Sequence, residues 1–311
     1  MDTDALTLAR ERAAHNLPER LAWGPLTLSV TDLDRSVDFW TRVIGFVPRP
    51  SEAGGTALGT PDRTLVLLRP GATGPVAQGH AGMYHVAFGM ASQAEFSRRI
   101  RHFAALGIGF SPVDHLMSKA LYLSDPDGHG IEIAWETPER FGRFSNEGGR
   151  FTLIDADGNT HSGRERLDLT AELGLADGTD PALPLHRDTT VAHLHLHVPG
   201  LDPALDWFEG IGFARNLLLP GFGMADMGAG APYTHRLAVN IWAGPGAKPA
   251  PDGTARLLEY TLYTPDPEAF ERAKSQLTED EQTGLLSGAD PAGATLNLHL
   301  KPPKIETEDA A

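Results

Sequence analysis

The chain has 311 residues, with 41 acidic against 26 basic side chains and a formal net charge of -15. That balance excludes the clustered Lys and Arg that phosphate backbones require, so no nucleic-acid partner is expected, while a small neutral ligand remains fully compatible. The absence of Cys excludes disulfides, thiolate metal sites and a cysteine nucleophile; no apolar run approaches the ~20 residues of a membrane span, the start MDTDALTLARERAAH lacks a stretch of signal-peptide type, and a cytoplasmic protein without membrane contacts is expected.

In chain order, the first recognisable unit is LTLSVTDLDRSVDFWTRVIGF, from Leu26 to Phe46. It reads as an alternating strand, a turn with Asp, an amphipathic helix, then Gly-Phe opening another strand. The second, weaker copy is YHVAFGMASQAEFSRRIRHFAALGIGF, Tyr84 to Phe110, which closes with the turn and strand DPDGHGIEI. The third is LHLHVPGLDPALDWFEGIGF, Leu194 to Phe213; the fourth is EYTLYTPDPEAFERAKSQL, Glu259 to Leu277, closing with DPAGATLNL. Asp34 and Asp202 fall at matching helix starts, where a carboxylate suits the free N–H groups. Phe39 and Trp207 match on the apolar face.

The chain therefore reads as α+β, with four βαβββ repeats over about Leu21–Val76, Gly79–Glu139, Thr189–Ala250 and Pro251–Lys301. Two domains of two units each are expected, 21–139 and 189–302, joined by a polar, Gly-, Asp- and Pro-rich linker over 140–188 with a little local structure. Units paired within each half and units paired across the halves both satisfy the pattern. The terminal KIETEDAA reads as a solvated tail.

Aligning the first strands by their last residues, Val30, Met90, Val198 and Thr264, places Pro25, His85, His193 and Glu259 at one position. The closing strands of the second and fourth units put Glu132 and Asn297 at another. His85, His193 and Glu132 supply two imidazoles and one carboxylate, the facial set that leaves coordination sites open on Fe(II). Pro25, Glu259 and Asn297 do not, so the second set reads as dead. With one carboxylate the ion keeps a net positive charge that a singly deprotonated diol neutralises. His193, His195 and His197 alternate along one face of their strand; repeat position favours His193 over His195 as the ligand, and His195 would then line the pocket. His197 reads as solvated at a strand end, His129 as an exposed turn residue, and Trp242 and Phe39 as core.

The stretch DHLMSKALYLSDPDGHGIEIAW carries a more specific pattern: His115, five residues, Leu121-Tyr122, Asp125-Pro126, Gly128 and Glu132. With it, the four units resemble the vicinal oxygen chelate (glyoxalase-like) superfamily, and within it the type I extradiol, catechol 2,3-dioxygenase-like ring-cleaving enzymes. The resemblance spans nearly all of the chain outside the linker and tails. It implies Fe(II), with Mn(II) as the alternative ion, held by His85, Glu132 and His193. It implies His115 and Tyr122 as groups beside substrate and oxygen, and His235, in THRLAVNIW, as the acid-base group. The partners it implies are an aromatic diol and O2; a homo-oligomer is compatible. The order of units departs from the family's usual one, because the two-ligand unit comes second and its complement third. A site assembled between the second and third units is therefore expected, within one chain or across a swapped dimer. Competing functions are hydroquinone-type ring cleavage, a glyoxalase-like metal-dependent lyase or isomerase, and a non-catalytic small-molecule-binding protein of the same fold.

Overall fold

Four times along the chain a strand and a helix are followed by three more strands. The first unit is β1 (Ala22–Val30), α1 (Leu33–Asp38, continued by a π-helical turn Phe39–Ile44), β2 (Val47–Arg49), β3 (Thr56–Thr60) and β4 (Arg63–Pro70). The second is β5 (Gly82–Gly89), α2 (Gln93–Leu106), β6 (Ser111–Asp114), β7 (Ser118–Ser124) and β8 (Gly130–Glu136). The intervening segment forms β9 (Phe141–Ser145), β10 (Thr152–Asp155), β11 (Thr160–His161), β12 (Glu165–Arg166) and α3 (Leu169–Leu173). The third unit is β13 (Thr190–His197), α4 (Leu201–Ile211), β14 (Ala214–Leu219), β15 (Met224–Gly228) and β16 (Leu237–Asn240). The fourth is β17 (Leu257–Tyr263), α5 (Pro267–Ala273), β18 (Thr278–Glu279), β19 (Leu286–Ala289) and β20 (Thr295–His299). These elements belong to a computed structural model that describes residues 20–51, 54–146, 151–176, 178–230 and 233–300; the N-terminal MDTDALTLARERAAH and the KIETEDAA tail lie outside the described residues.

The helices begin and end where local chemistry dictates. Asp32 and Ser92 cap α1 and α2 by accepting from Arg35 N and Glu95 N, and Asp266 caps α5. Asp34 and Asp202 sit in first turns, where their charge meets the helix dipole, and the caps themselves are Asp32 and Gly200. Gly45, Gly107 and Gly212 close their helices at φ of 94°, 67° and 121°, a left-handed region costly for any residue with a Cβ.

Units pair across the halves of the chain. The first and fourth build an eight-stranded sheet in the order β18-β19-β20-β17-β1-β4-β3-β2. The second and third, extended by β12, build a nine-stranded sheet, β12-β6-β7-β8-β5-β13-β16-β15-β14. Each sheet thus takes one unit from 21–139 and one from 189–302, and the sheets do not follow the boundary between those halves. The join in each case is an antiparallel pairing of first strands, β1 with β17 and β5 with β13. Helix-facing sides of the strands form the core, with Leu26, Leu28, Val86, Phe88, Leu194, Leu196, Tyr260 and Leu262 fully buried. Each such aliphatic side chain contributes about 1.5–3 kcal/mol on burial. On the helices, Trp40 and Phe208 fill the core, while their neighbours Phe39 and Trp207 are only half-buried against it. The helical period turns the second residue of each aromatic pair, not the first, toward the sheet.

The linker docks closely. Arg98 and Arg99 of α2 are buried and donate to the carbonyls of Pro181, Leu183 and Pro184. Lys119 pairs with buried Glu172 of α3, and β12 extends the nine-stranded sheet by pairing with β6.

Candidate metal centre

Two irregularities in the β5–β13 ladder place the imidazoles. Opposite pairs run Val191↔Phe88 then His193↔Ala87, and His195↔His85 then Leu196↔Met83, leaving Ala192 and Tyr84 as extra residues. Such bulges re-aim neighbouring side chains. His85 Nε2 stands 3.2 Å from His193 Nε2. Glu132, on β8 opposite Ala87, brings Oε2 to 3.0 Å from His85 Nε2 and 3.2 Å from His193 Nε2. All three residues are buried, and their ligand atoms lie within 4.8 Å of one another. The sheet that unites them is formed within one chain.

These atoms are poorly matched to one another and well matched to a cation. Glu132 Oε2 is buried and accepts no hydrogen bond although two ring nitrogens adjoin it. Burial holds the His193 imidazole down at about 3, so its lone pair is free of a proton. Burial alone would raise the Glu132 carboxyl, but the imidazoles of His193 and His85 outweigh it and hold the group well below the usual carboxylate range. Two imidazole nitrogens and one carboxylate oxygen, converging from buried side chains, fit a divalent transition ion with open positions.

His195 is placed beside this triad and outside it. The Trp242 backbone N–H donates to Asn240 Oδ1 at 3.0 Å, which fixes the amide so that Nδ2 donates to His195 Nε2 at 2.8 Å. His195 is thereby fixed as the Nδ1–H tautomer, and burial keeps it neutral. His197 Nδ1 donates to the same Asn240 oxygen at 2.6 Å. Tyr84 touches the rings of His85, His195 and His197.

Two further groups flank the triad. His235 stacks edge-on to His193, ring centroids 4.6 Å apart, and its Nδ1–H donates to Asp226 Oδ2 at 2.7 Å. Burial lowers the His235 imidazole, but the Asp226 hydrogen bond and charge outweigh it and leave the ring above its ordinary value. Asp226 Oδ1 accepts from Asn216 Nδ2 and Leu217 N at 2.8 and 2.9 Å. On the other side, Tyr122 donates its hydroxyl to His115 Nε2 at 2.9 Å, and His115 Nδ1–H donates to Gly163 O at 2.7 Å. Burial lowers the His115 imidazole and raises the Tyr122 phenol, so both are neutral.

The structure brings His85, Glu132, His193, His115, Tyr122 and His235 to one sheet. Sequence reasoning missed Asp226, Asn240 and Gly163, which orient these rings; an Asp in MADMG nine residues before His235 gives no sign of its partner until β15 and β16 pair. His129, expected in solvent, is buried, its Nε2 3.0 Å from Ser29 O, because its turn is clamped between the sheets. Trp242, expected in the core, is 48% exposed, held at the surface by its Nε1–H bond to Phe222 O. His197 is half-buried, since Asn240 satisfies it.

The other sheet holds a counterpart. In parallel register Glu132 lies opposite the residue two beyond His85, and by the same rule Arg69 belongs with Thr27 and Asn297 with Glu259. The register shift between Trp23 and Leu26 gives Thr27, not Pro25, the inward place. Glu259 Oε1 accepts from Thr27 Oγ1 and Arg69 Nη2, both at 3.1 Å, and Oε2 from Asn297 Nδ2 at 3.3 Å. A guanidinium thus supplies the positive charge that the first site leaves to an ion.

Residues 23–133 match the sequence profile of the Glyoxalase/Bleomycin resistance protein/Dioxygenase superfamily. A protein of Bacillus subtilis (strain 168) named catechol-2,3-dioxygenase is 32% identical over 259 residues, covering 80% of this chain and 84% of that one. Among solved structures, a proposed dioxygenase from Bacillus subtilis subsp. subtilis str. 168 superimposes with a TM-score of 0.57 at 12% identity, covering 93% of this chain and 88% of that one. Glyoxalase I from Zea mays does so with a TM-score of 0.51 at 15% identity, covering 89% and 92%. These two likenesses speak to fold alone.

Proposed function

The chain belongs to the glyoxalase/bleomycin resistance protein/dioxygenase superfamily, and from that premise we propose that it is an extradiol dioxygenase that cleaves a catechol-type ring beside its two hydroxyls and incorporates both atoms of O2. The observation that carries the reading is the convergence of three buried donor atoms, His85 Nε2, His193 Nε2 and Glu132 Oε2, with His235–Asp226 on one side and Tyr122–His115 on the other. These three residues would hold Fe(II), which when bound gathers the diol and dioxygen and supplies the path for electrons between them.

The chain's own groups then have defined tasks. Asp226 keeps the proton of His235 on Nδ1, so Nε2 presents a lone pair that takes a hydroxyl proton from the diol. The raised imidazole holds that proton more firmly than an ordinary imidazole would and returns it to a developing oxygen anion. The Tyr122 proton is committed to His115, so its oxygen accepts from the second hydroxyl. His115, anchored on Gly163 O, keeps the phenol in place. Burial of the triad excludes competing water.

Oxygen uptake by Fe(II)-loaded protein tests the reading. A panel of catechols and hydroquinones is supplied, and a yellow ring-opened product is followed. Uptake stoichiometric with catechol loss supports it. Turnover of a thiol-aldehyde adduct without oxygen would assign the site to a glyoxalase-type lyase instead, and hydroquinone consumption without catechol consumption would reassign the diol.

A further inference from the structure

A cavity of about 340 Å³ has His85 and Tyr122 in its wall. That size is near the lower end for ligand pockets and suits one ring with a short substituent. Its roof comes from both halves of the chain. The segment after β4 and the segment before β17 are zipped together by bridges Gly74↔Thr254 and Ala81↔Pro249 and by Ala255 N donating to Gly74 O at 2.8 Å. The roof continues into Arg256, whose backbone is fixed at both ends. Arg256 N donates to Ser29 Oγ, and Ser29 N donates to Arg256 O, each at 2.9 Å.

Arg256 is the one permanently charged side chain in the wall among the described residues, and the wall contains no Asp or Glu. In a chain with 41 acidic residues, a wall without one favours an anion, the neighbouring Glu132 carboxylate, 3.0 Å from His85 Nε2, being the one assigned to the ion. The guanidinium donates to Ala250 O at 3.1 Å and to Asp252 Oδ1 at 3.2 Å. Asp252 is fully exposed, so this pair is screened by water and yields readily to a better-placed carboxylate. Its remaining N–H donors form a planar fork suited to two carboxylate oxygens.

We propose that the diol carries a short carboxylate-bearing substituent and that Arg256 pairs with it, setting substrate choice. The inference rests on the ring-cleavage reading and names the substrate class for the same site. Arg256 is a specificity residue. It fixes the ring through its substituent while the diol end meets His85 and Tyr122.

The experiment compares 3,4-dihydroxybenzoate, its neutral amide and catechol as substrates of the Fe(II)-loaded enzyme. Wild type, Arg256→Met and Arg256→Lys are assayed, and the acid is also titrated into each protein by calorimetry. Wild type should favour the acid over the amide by about tenfold in kcat/KM, mostly through KM, as expected for one charge-assisted contact. Arg256→Met should collapse that ratio, Arg256→Lys should keep part of it, and raised salt should erode it. Equal kcat/KM for acid and amide, or a ratio unmoved by Arg256→Met, would overturn the proposal. If catechol, acid and amide all fail to consume oxygen, the ring-cleavage reading falls instead. Calorimetry then decides the subsite, with equal affinity of wild type and Arg256→Met for the acid counting against it.

Discussion

Replacing Asp226 by Asn preserves shape and inverts a proton. In the native arrangement Asp226 Oδ1 is held by two donors, Asn216 Nδ2 and Leu217 N, and Oδ2 accepts from His235 Nδ1. Those donors require an oxygen, so the new amide must place its oxygen there and turn its NH2 toward His235. His235 Nδ1 then becomes an acceptor, the ring proton moves to Nε2, and the lone pair that serves as base disappears. The charge-assisted bond that is lost is worth about 1.5–3 kcal/mol, or about 1–2 pKa units at 1.36 kcal/mol each. With burial then opposed only by the more distant Glu132 charge, the ring should fall below its native value. In the pH profile of kcat/KM for a catechol, the acid limb should move to lower pH, while the plateau drops by about 10²–10⁴, the usual worth of a general base. Nitrogen NMR of the His235 ring should report the inverted tautomer, and metal content should stay native. A variant with the native limb and plateau would show that His235 does not act through Nε2.

Other outcomes follow from the same geometry. His193→Ala should abolish stoichiometric iron binding measured by mass spectrometry, whereas His195→Ala should retain the ion and change KM, because the His195 Nε2 atom is already taken by Asn240. Each chain should bind one ion, since Arg69 occupies the counterpart in the second sheet; two ions per chain would contradict that assignment. The metal-free protein should melt at progressively lower temperature as pH falls from about 6.5 toward 4. His193, held at about 3, and Glu132, held well below its usual range, both take up more protons in the unfolded chain. His235, raised above 6.5, works in the opposite sense, stabilising below that value and losing its contribution as pH rises through its folded value. A melting temperature that climbs on acidification would refute the balance.

The local units were legible because they are local. Alternation, capping residues and the glycines at helix ends all act within about a dozen residues, so four βαβββ repeats could be read directly from the chain. The triad was legible for a related reason: repetition allowed His85, His193 and Glu132 to be matched by position without knowing any contact. The assignments that failed, an exposed His129 and a buried Trp242, concern single residues whose burial depends on which loop or sheet lies over them. The linker looked like a simple connection, yet its Gly163 carbonyl orients His115 and its carbonyls accept hydrogen bonds from two buried arginines.

What the sequence determined by itself was the repeat, its helix limits and the kinds of donor available at each equivalent position. Tertiary structure alone decided which units pair. Both arrangements bury the same apolar faces, so hydrophobic pattern cannot separate them. The choice of partner for β5 settles whether His85 meets His193, and the pairing of β15 with β16 settles whether Asp226 meets His235. Hydrogen bonds between strands far apart in the chain carry no local signature, which is why the orienting residues emerged only once the sheets were assembled.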